Sequence, residues 1–277
     1  GPNLVKGIHL EGLRVLGKPE HFAEYYYENG ADELIYMDVV ASLYGRNSLL
    51  HTIERTSNKI YIPLTVGGGL RTLDDIRTVL GAGADKVSIN TAAIQRPELI
   101  KEASRRFGSS TIVVSIEAIK KPDGCYEAYT DNGREKTGLD VFEWALRVVD
   151  LGAGEIMLTS IDQEGTGKGF DLELTRKVSE SVSIPVIACG GAGKTSHIND
   201  VITEGKADAV SLASILHYNF MKQNKAEDDF SGEGNTEYLR NRSTFSKIQD
   251  TTIVIIKENL TQNGLECRYQ VASAIND

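Results

Sequence analysis

Paired cysteines, long hydrophobic runs and an excess of positive charge are all missing from this 277-residue sequence. Its three cysteines, Cys125, Cys189 and Cys267, have neither CxxC nor metal-ligand spacing, which argues against a disulfide framework and a cysteine metal site. No apolar run approaches the roughly 20 residues that span a membrane, and no signal peptide is visible. The net charge of −9 disfavours nucleic acid and anionic membranes as partners. We therefore expect a cytoplasmic globular protein with no metal ion and no cofactor.

What the sequence does contain is an internal repeat. The run IPLTVGGGLR at 62–71 returns as IPVIACGGAG at 184–193, an offset of 184 − 62 = 122 residues. Each copy is a short apolar run that stops at glycines, and a helix-like stretch follows it. A buried parallel strand is such a continuous apolar run. Terminal glycines let the backbone turn and approach a ligand, and helix N-termini bind phosphate.

The repeat extends beyond the glycines. Residues 31–35 are matched by 153–157, again 122 positions later, and residues 84–90 are matched by 207–213, at 123 positions. This period is about half of a (βα)8 barrel of roughly 250 residues. The sequence therefore predicts an α/β fold, a (βα)8 TIM barrel made of two duplicated half-barrels.

We expect one barrel domain over residues 1–277. The strand-like run at 111–117 opens the second half, and its counterpart would lie before residue 1, so strand 1 is predicted to be missing from the N-terminus. The weakly strand-like tail either fills that position or is a frayed terminus. The predicted parts are a first half-barrel (1–109), a second half-barrel (110–220), a polar insertion (221–243), the last helix (244–268) and the tail (269–277).

Active sites of such barrels lie at the carboxyl ends of the strands. The candidates there combine glycine backbones, hydroxyl and amide side chains, and carboxylates. They are Asp38, Gly67 to Gly69, Asn90, Thr91, Glu117, Thr159, Ser160, Asp162, Glu164 to Thr166, Gly190, Gly191, Ala213 and Ser214. Duplication would place one phosphate cradle in each half, which suits a ligand with a phosphate at each end. Alternatively, Asn90, Thr91 and Ser214 are only helix caps.

A long polar stretch, residues 119–137, follows the fifth predicted strand. A loop of this length in a compact domain is usually functional or mobile. Its Tyr126 and Tyr129 either line a mobile lid or pack as ordinary structural side chains.

The motifs of the repeat resemble those of one family, the cyclase subunit of imidazole glycerol phosphate synthase. The resemblance covers residues 4–220 and, more weakly, 244–268; its runs are 31–34, 65–69, 84–93, 152–156, 165–166, 184–188 and 190–193. It implies a barrel of duplicated halves that forms a heterodimer with a glutaminase docked at its bottom. It also implies that ammonia is used to cleave and cyclise a bis-phosphorylated ribulosyl-formimino aminoimidazole carboxamide nucleotide. The implied products are imidazole glycerol phosphate and an aminoimidazole carboxamide ribotide, in histidine synthesis.

The resemblance also gives roles to single residues. The positions that match the two phosphate sites are Gly69, Asn90 and Thr91 for one, and Gly165, Gly191, Ala213 and Ser214 for the other. Lys6, Asp38 and Glu164 match further active-face positions. At the barrel bottom, the resemblance implies an ammonia gate and a partner surface, formed by Glu33, Lys86, Glu155 and Asp85.

The departures from the family leave other functions open. The family's general acid/base pair is two aspartates at the ends of strands 1 and 5, and here the second is Glu117, while Glu164 also replaces an aspartate. The glutamate head reaches one methylene further, and proton transfer is sensitive to such placement. The chain could therefore serve an acetamidino-sugar amidotransferase in surface-polysaccharide assembly, or only bind and activate a glutaminase. A phosphosugar isomerase of histidine or tryptophan synthesis is a further alternative by fold analogy.

Overall fold

The structure is a computed structural model that describes residues 3–9, 11–39, 49–223 and 248–268. Strands and helices alternate through most of it. The strands are β1 (Leu4–Ile8), β2 (Glu11–Gly17), β3 (Leu34–Met37), β4 (Leu64–Gly67), β5 (Lys86–Ile89), β6 (Ile112–Lys120), β7 (Tyr126–Thr130), β8 (Glu135–Asp140), β9 (Glu155–Ser160), β10 (Val186–Cys189) and β11 (Ala209–Ser211). The helices are α1 (Pro19–Glu28), α2 (Leu50–Ser57), α3 (Leu73–Gly81), α4 (Thr91–Gln95), α5 (Glu98–Phe107), α6 (Val141–Asp150), α7 (Leu172–Ser181), α8 (Ser196–Thr203), α9 (Ser214–Gln223) and α10 (Ile253–Gln262).

Seven parallel strands form the central sheet, in the order β11-β10-β9-β6-β5-β4-β3. These strands are short apolar runs whose side chains are mostly buried, as expected for a parallel sheet covered on both faces. Helices follow the strands in the alternating pattern of a (βα)8 barrel, which confirms the predicted fold class. Within the described residues, the two outer strands β3 and β11 are not paired with each other.

Helices close the ring at the point where the described strands leave the sheet open. Phe22 of α1 lies against Phe220 of α9, with ring centroids 4.2 Å apart. Beside this contact, the buried hydroxyl of Tyr26 makes a hydrogen bond of 2.6 Å with His217 Nδ1. Helices α1 and α9 are therefore packed as neighbours, as a closed helical ring requires.

The duplication is visible in equivalent hydrogen bonds. The Leu64 N–H donates to Asp85 Oδ2 at 2.8 Å, and 122 residues later the Val186 N–H donates to Asp208 Oδ2 at 2.8 Å. The two aspartate N–H groups return the bond to the carbonyls of Leu64 and Val186, at 2.9 and 3.0 Å. Both pairs fix the start of a strand against the start of its neighbour.

Two segments differ from the expectation. Residues 119–137, expected to be a loop, continue β6 to Lys120 and then form the antiparallel β7–β8 hairpin. Residues 4–8, where the sequence predicted no strand, form β1, which pairs with β2 in a second hairpin. Tyr126 and Tyr129 are buried, so packing explains them better than a mobile lid. Most of the predicted insertion, the tail 269–277 and the side chain of Lys6 lie outside the described residues.

Candidate functional site at the carboxyl ends of the strands

The carboxyl ends of β3, β4, β5 and β6 meet around one small cavity of about 60 Å³. This arrangement follows from parallel pairing, which aligns the ends of successive strands at one edge. The predicted residues that the cavity brings together are Asp38, Gly68, Gly69, Asn90, Thr91 and Glu117. Arg71, Ser88 and Asn132 also line it, and sequence reasoning missed them.

Glu117 is the acid of this cavity, and its side chain is only 7% exposed. Burial raises its pKa from 4.5 to about 7, and the negative charge of Asp131 adds to the shift. Hydrogen bonds from the Gly133 N–H and the Asn90 side chain oppose the shift, because they favour the charged carboxylate. A carboxyl group with a pKa near neutrality can both donate and accept a proton, as general acid/base chemistry requires.

The tip of the β7–β8 hairpin, residues 131–133, lies over this cavity. The Gly133 N–H donates to Glu117 Oε2 at 2.8 Å, and the Asp131 N–H donates to Thr91 Oγ1 at 3.2 Å. Asn132 Nδ2 donates to the Val39 carbonyl. The hairpin therefore connects the ends of three different strands at the mouth of the sheet.

Unpaired polar atoms in the cavity point to a ligand. Ser88 Oγ and Asn90 Oδ1 are buried and have no hydrogen-bond partner within the described ranges, although both residues line the cavity. Asn90 occupies the N-cap position of α4 but makes no side-chain cap bond; its Nδ2 donates to the Tyr129 carbonyl instead. The simple capping alternative therefore does not account for Asn90.

The second predicted cradle is built from backbone that leaves no space for side chains. Gly190 and Gly191 follow β10 with φ of 94° and 108°, a region that favours glycine. A Cβ on Gly191 would overlap the carbonyl of Gly169, whose N–H donates to the Gly191 carbonyl at 2.8 Å. Close packing of residues 165–169 therefore already requires these glycines. The predicted phosphate roles of Gly165, Gly191, Ala213 and Ser214 stay predictions.

Cys189 lies within electrostatic range of both Glu117 and Glu164. It ends β10, and burial together with the charges of Glu164 and Glu117 raises the pKa of its thiol to about 12. The thiol is therefore neutral and a weak nucleophile at physiological pH. Because the charges of Glu164 and Glu117 both act on this thiol, the predicted Glu164 lies within electrostatic range of the site.

At the amino ends of the strands, a charged triad lies where the sequence predicted it. Lys86 Nζ contacts Glu155 Oε1 at 2.7 Å and both oxygens of Glu33 at 3.0 Å. Burial disfavours the ammonium, but the hydrogen bonds to Glu155 and Glu33 outweigh it and raise the pKa of Lys86. Glu155 Oε2 is buried and has no hydrogen-bond partner among the described residues. The side chain of Asp85, in contrast, already bonds the Leu64 N–H, so it has a structural role as well.

Comparison with known proteins agrees with this geometry. A family model described as "Histidine biosynthesis protein" matches residues 3–222. The chain belongs to that family. It is 60% identical over 199 residues to the imidazole glycerol phosphate synthase subunit HisF of Legionella pneumophila, an alignment that covers 72% of this chain and 94% of the relative. The family recognised from the sequence motifs is therefore confirmed, and this chain is a homologue of a subunit of a histidine-biosynthetic enzyme.

Two further observations concern the described ranges. None of their helices is both long and apolar enough to cross a membrane. No group of three or more His, Cys, Asp or Glu side chains in those ranges has an arrangement that would hold a metal ion.

Proposed function

We propose that this chain is the cyclase subunit of an imidazole glycerol phosphate synthase. With ammonia, it converts the bis-phosphorylated ribulosyl-formimino aminoimidazole carboxamide nucleotide into imidazole glycerol phosphate and aminoimidazole carboxamide ribotide. The observation that carries the proposal is Glu117, a buried carboxyl group with a pKa of about 7 in the cavity at the mouth of the sheet. The 60% identity to the HisF subunit supports the choice of reaction.

In this proposal, Glu117 accepts and donates protons during ring closure and cleavage. At neutral pH it is present in both protonation states, because its pKa is about 7. Backbone and hydroxyl groups around Gly69 and Thr91 hold one end of the substrate, and the glycine turn after β10 holds the other. Asp38 and Arg71 line the space between the first cradle and the acid.

The test uses purified protein, an ammonium salt and the ribulosyl nucleotide, with imidazole glycerol phosphate as the readout. We expect turnover by the wild type. Glu117→Gln is expected to abolish turnover and leave binding of the phosphorylated ligand intact, because the amide keeps the shape but transfers no proton. Unchanged turnover by Glu117→Gln would remove this residue from the mechanism.

The proposed partner is a glutaminase that forms a heterodimer with this chain at the amino ends of the strands. Three features of that end support the proposal: the Lys86 triad, the buried unpaired oxygen of Glu155, and a cavity of about 360 Å³ beside Asp85. Tyr61 lines the cavity and is 83% exposed, which is unusual for a large aromatic side chain and typical of an interface. Ammonia would enter the barrel past Lys86.

Co-purification with a glutaminase and activation of glutamine hydrolysis test this partner. Tyr61→Ser is expected to weaken the complex, whereas Tyr27→Ser, at the ring that packs edge-on against Tyr61, is expected to have a smaller effect. No complex at micromolar concentration would contradict the proposal. We place this pathway in the cytoplasm, in keeping with three free cysteines.

A second candidate function is supported by the glutamates at 117 and 164. Here the chain would activate the glutaminase and deliver ammonia to an amidotransferase that makes acetamidino sugars. A protein that activates glutaminase but gives no turnover with the ribulosyl nucleotide would favour this second function.

A further inference from the structure

The Glu117 carboxylate is held by a segment that lies outside the parallel sheet. We propose that the tip of the β7–β8 hairpin, residues 131–133, is a positioning element: its Gly133 N–H fixes one oxygen of Glu117 and so directs the carboxyl group for proton transfer. This inference rests on the proposed function, which gives Glu117 its catalytic role. Gly133 itself touches no reacting atom in this scheme.

The side chain of a glutamate needs such a restraint more than that of an aspartate. It has one more rotatable bond, so its carboxylate samples more positions, and a shift of about 1 Å can cost a large part of the rate. The Gly133 N–H meets Oε2 at 2.8 Å and is a fixed backbone donor. A backbone donor held by its own hairpin costs little further ordering when the reaction occurs.

The hairpin tip is itself anchored at two points. The Asp131 N–H bonds Thr91 Oγ1, and Asn132 Nδ2 bonds the Val39 carbonyl. Asp131, Asn132 and Gly133 have φ of 52°, 58° and 72°. In this turn of three successive left-handed residues, the N–H groups of Asp131 and Gly133 both donate to side chains that line the cavity. This conformation is unfavourable for non-glycine residues, so the contacts at the rim have to maintain it.

Several ionisable groups surround Glu117. The negative charge of Asp131 on the hairpin raises its pKa, and the charge of Glu117 acts in turn on the Cys189 thiol of β10. Asp38 and Arg71 line the same cavity. Of the hydrogen bonds that favour the charged form of Glu117, the one from Gly133 makes the largest contribution. Loss of this bond should therefore raise the pKa of Glu117 further above 7.

The structure offers a specific way to displace this N–H. A Cβ on Gly133 would lie 2.5 Å from Ile161 Cδ1, so Gly133→Ala must move the tip or the Ile161 side chain. Gly138→Ala in the same hairpin is the matched control: its φ of 74° gives the same backbone strain, but nothing lies within 4 Å of the added Cβ. The double variant Gly133→Ala/Ile161→Val removes the clashing methyl group and should restore the geometry.

A second variant avoids backbone strain altogether. Asn132→Gly suits a left-handed φ and removes the side-chain anchor to Val39, together with one side chain that lines the cavity. If Gly133→Ala does not fold, Asn132→Gly tests the same idea, because a loosened tip places the Gly133 N–H less well.

The experiment measures the Glu117 pKa directly and the kinetics separately. Carboxyl carbons of ¹³C-labelled glutamate are titrated by NMR, with Glu117→Gln identifying the signal, and ammonia-dependent kcat and KM are measured from pH 5 to 9. For Gly133→Ala we expect a pKa higher by about half a unit or more, and kcat lower by about tenfold with KM little changed. The acidic limb of the pH profile should move upward with the pKa. Asn132→Gly should shift the Glu117 pKa and the pH profile in the same direction by a smaller amount, and Gly138→Ala should shift neither quantity. Adding Ile161→Val to Gly133→Ala should reverse the effect of Gly133→Ala.

The outcomes separate this inference from the proposed function. An inactive wild type at every pH would refute the proposed function, whatever the NMR titration shows. An active wild type whose Glu117 pKa and pH profile are unmoved in folded Gly133→Ala would overturn the positioning role. Equal shifts in Gly133→Ala and Gly138→Ala would also overturn it, because they would report general strain in the hairpin.

Discussion

Because Glu117 is buried, we expect the free energy of unfolding to depend on pH. The Glu117→Gln variant measures how much of that dependence comes from Glu117. The folded state raises the pKa of Glu117 from 4.5 to about 7, a difference of 7 − 4.5 = 2.5 units. At about 1.4 kcal/mol per unit, this corresponds to about 3 kcal/mol of destabilisation once the group is ionised in both states. The side chain is only 7% exposed, so solvent screening reduces this figure little.

The direction follows from proton binding in the two states. Below pH 4.5 the group is protonated in both states and contributes nothing. Between pH 4.5 and 7 the unfolded chain has lost this proton while the folded protein keeps it, so the stability falls as the pH rises. Above about pH 7 the loss is complete and constant. Glutamine does not ionise, so Glu117→Gln should lack this loss and gain stability relative to the wild type across the same window.

Urea unfolding of both proteins at pH 4.5, 5.5, 6.5 and 8 measures the effect. The free energy of unfolding of Glu117→Gln minus that of the wild type should be near its lowest value at pH 4.5 and rise by about 3 kcal/mol at pH 8. Glutamine loses the charge-assisted hydrogen bond from Gly133, which shifts the difference between the two proteins by an unrelated amount. The test is therefore the increase of this difference with pH and not its value at pH 4.5. A difference that stays constant with pH would refute the raised pKa, and with it the case for Glu117 as a neutral-pH acid/base.

Three further changes test other parts of the structure. Tyr126→Phe should lower the free energy of unfolding by about 1 kcal/mol, because the buried Tyr126 hydroxyl donates to Asp171, the N-cap of α7. Tyr61→Phe, at a ring that is 83% exposed, should leave the free energy of unfolding unchanged, and equal effects of the two variants would contradict this account. Asp85→Asn and Asp208→Asn should each lower the free energy of unfolding, measured by heat or urea, by about 1 to 2 kcal/mol. The reason is that the two carboxylates accept hydrogen bonds from equivalent strand N–H groups. A large loss of stability at only one of the two sites would argue against their equivalence. Lys86→Met should cost about 3 kcal/mol in the free energy of unfolding, because it leaves the Glu33 and Glu155 carboxylates unpaired. Lys120→Met, at an exposed pair with Glu173, should leave the stability nearly unchanged, and similar losses in the two variants would mean that the Lys86 triad is effectively solvated.

The parts of the fold that the sequence predicted well depend on local pattern. Strand β5 lies inside the run at 84–90 that the internal repeat singled out. The Lys86 triad was implied by the family resemblance, and the structure places its members beside the starts of β3, β5 and β9, which are alternate strands of the sheet. Strands β4 and β10 lie inside the repeated runs 62–71 and 184–193 and begin two residues after each run starts.

The β7–β8 hairpin was missed although a signal for it was present. Asn132-Gly133 is a strong hairpin turn dipeptide, and Tyr126, Ala128 and Thr130 alternate with polar residues before it. The polarity of residues 119–137 favoured a loop instead. The burial of Glu117 could not be read from the sequence, because it depends on this hairpin folding over the cavity. The hydrogen bond from the Gly133 N–H to Glu117 depends on the same tertiary arrangement, so it could not be predicted from the sequence either.

The two hairpins are related by the same repeat that relates the barrel halves. β1 begins at Leu4 and β7 at Tyr126, and α1 begins at Pro19 and α6 at Val141; 126 − 4 and 141 − 19 both give 122. The two hairpins are also similar in the individual contacts that they make with the opposite half of the barrel.

The second hairpin touches the Val39 carbonyl through Asn132, and the first touches the Ile161 carbonyl, 122 residues after Val39, through His9 Nδ1 at 2.7 Å. His9 and Asp131, also 122 apart, share a left-handed φ of 50° and 52°. Each hairpin therefore crosses the mouth and fastens to the strand ends of the opposite half, so contacts between the halves fix the geometry of the cavity. Since Glu117 is held from one of these hairpins, duplication explains both the pair of glycine turns after β4 and β10 and the restraint on the acid.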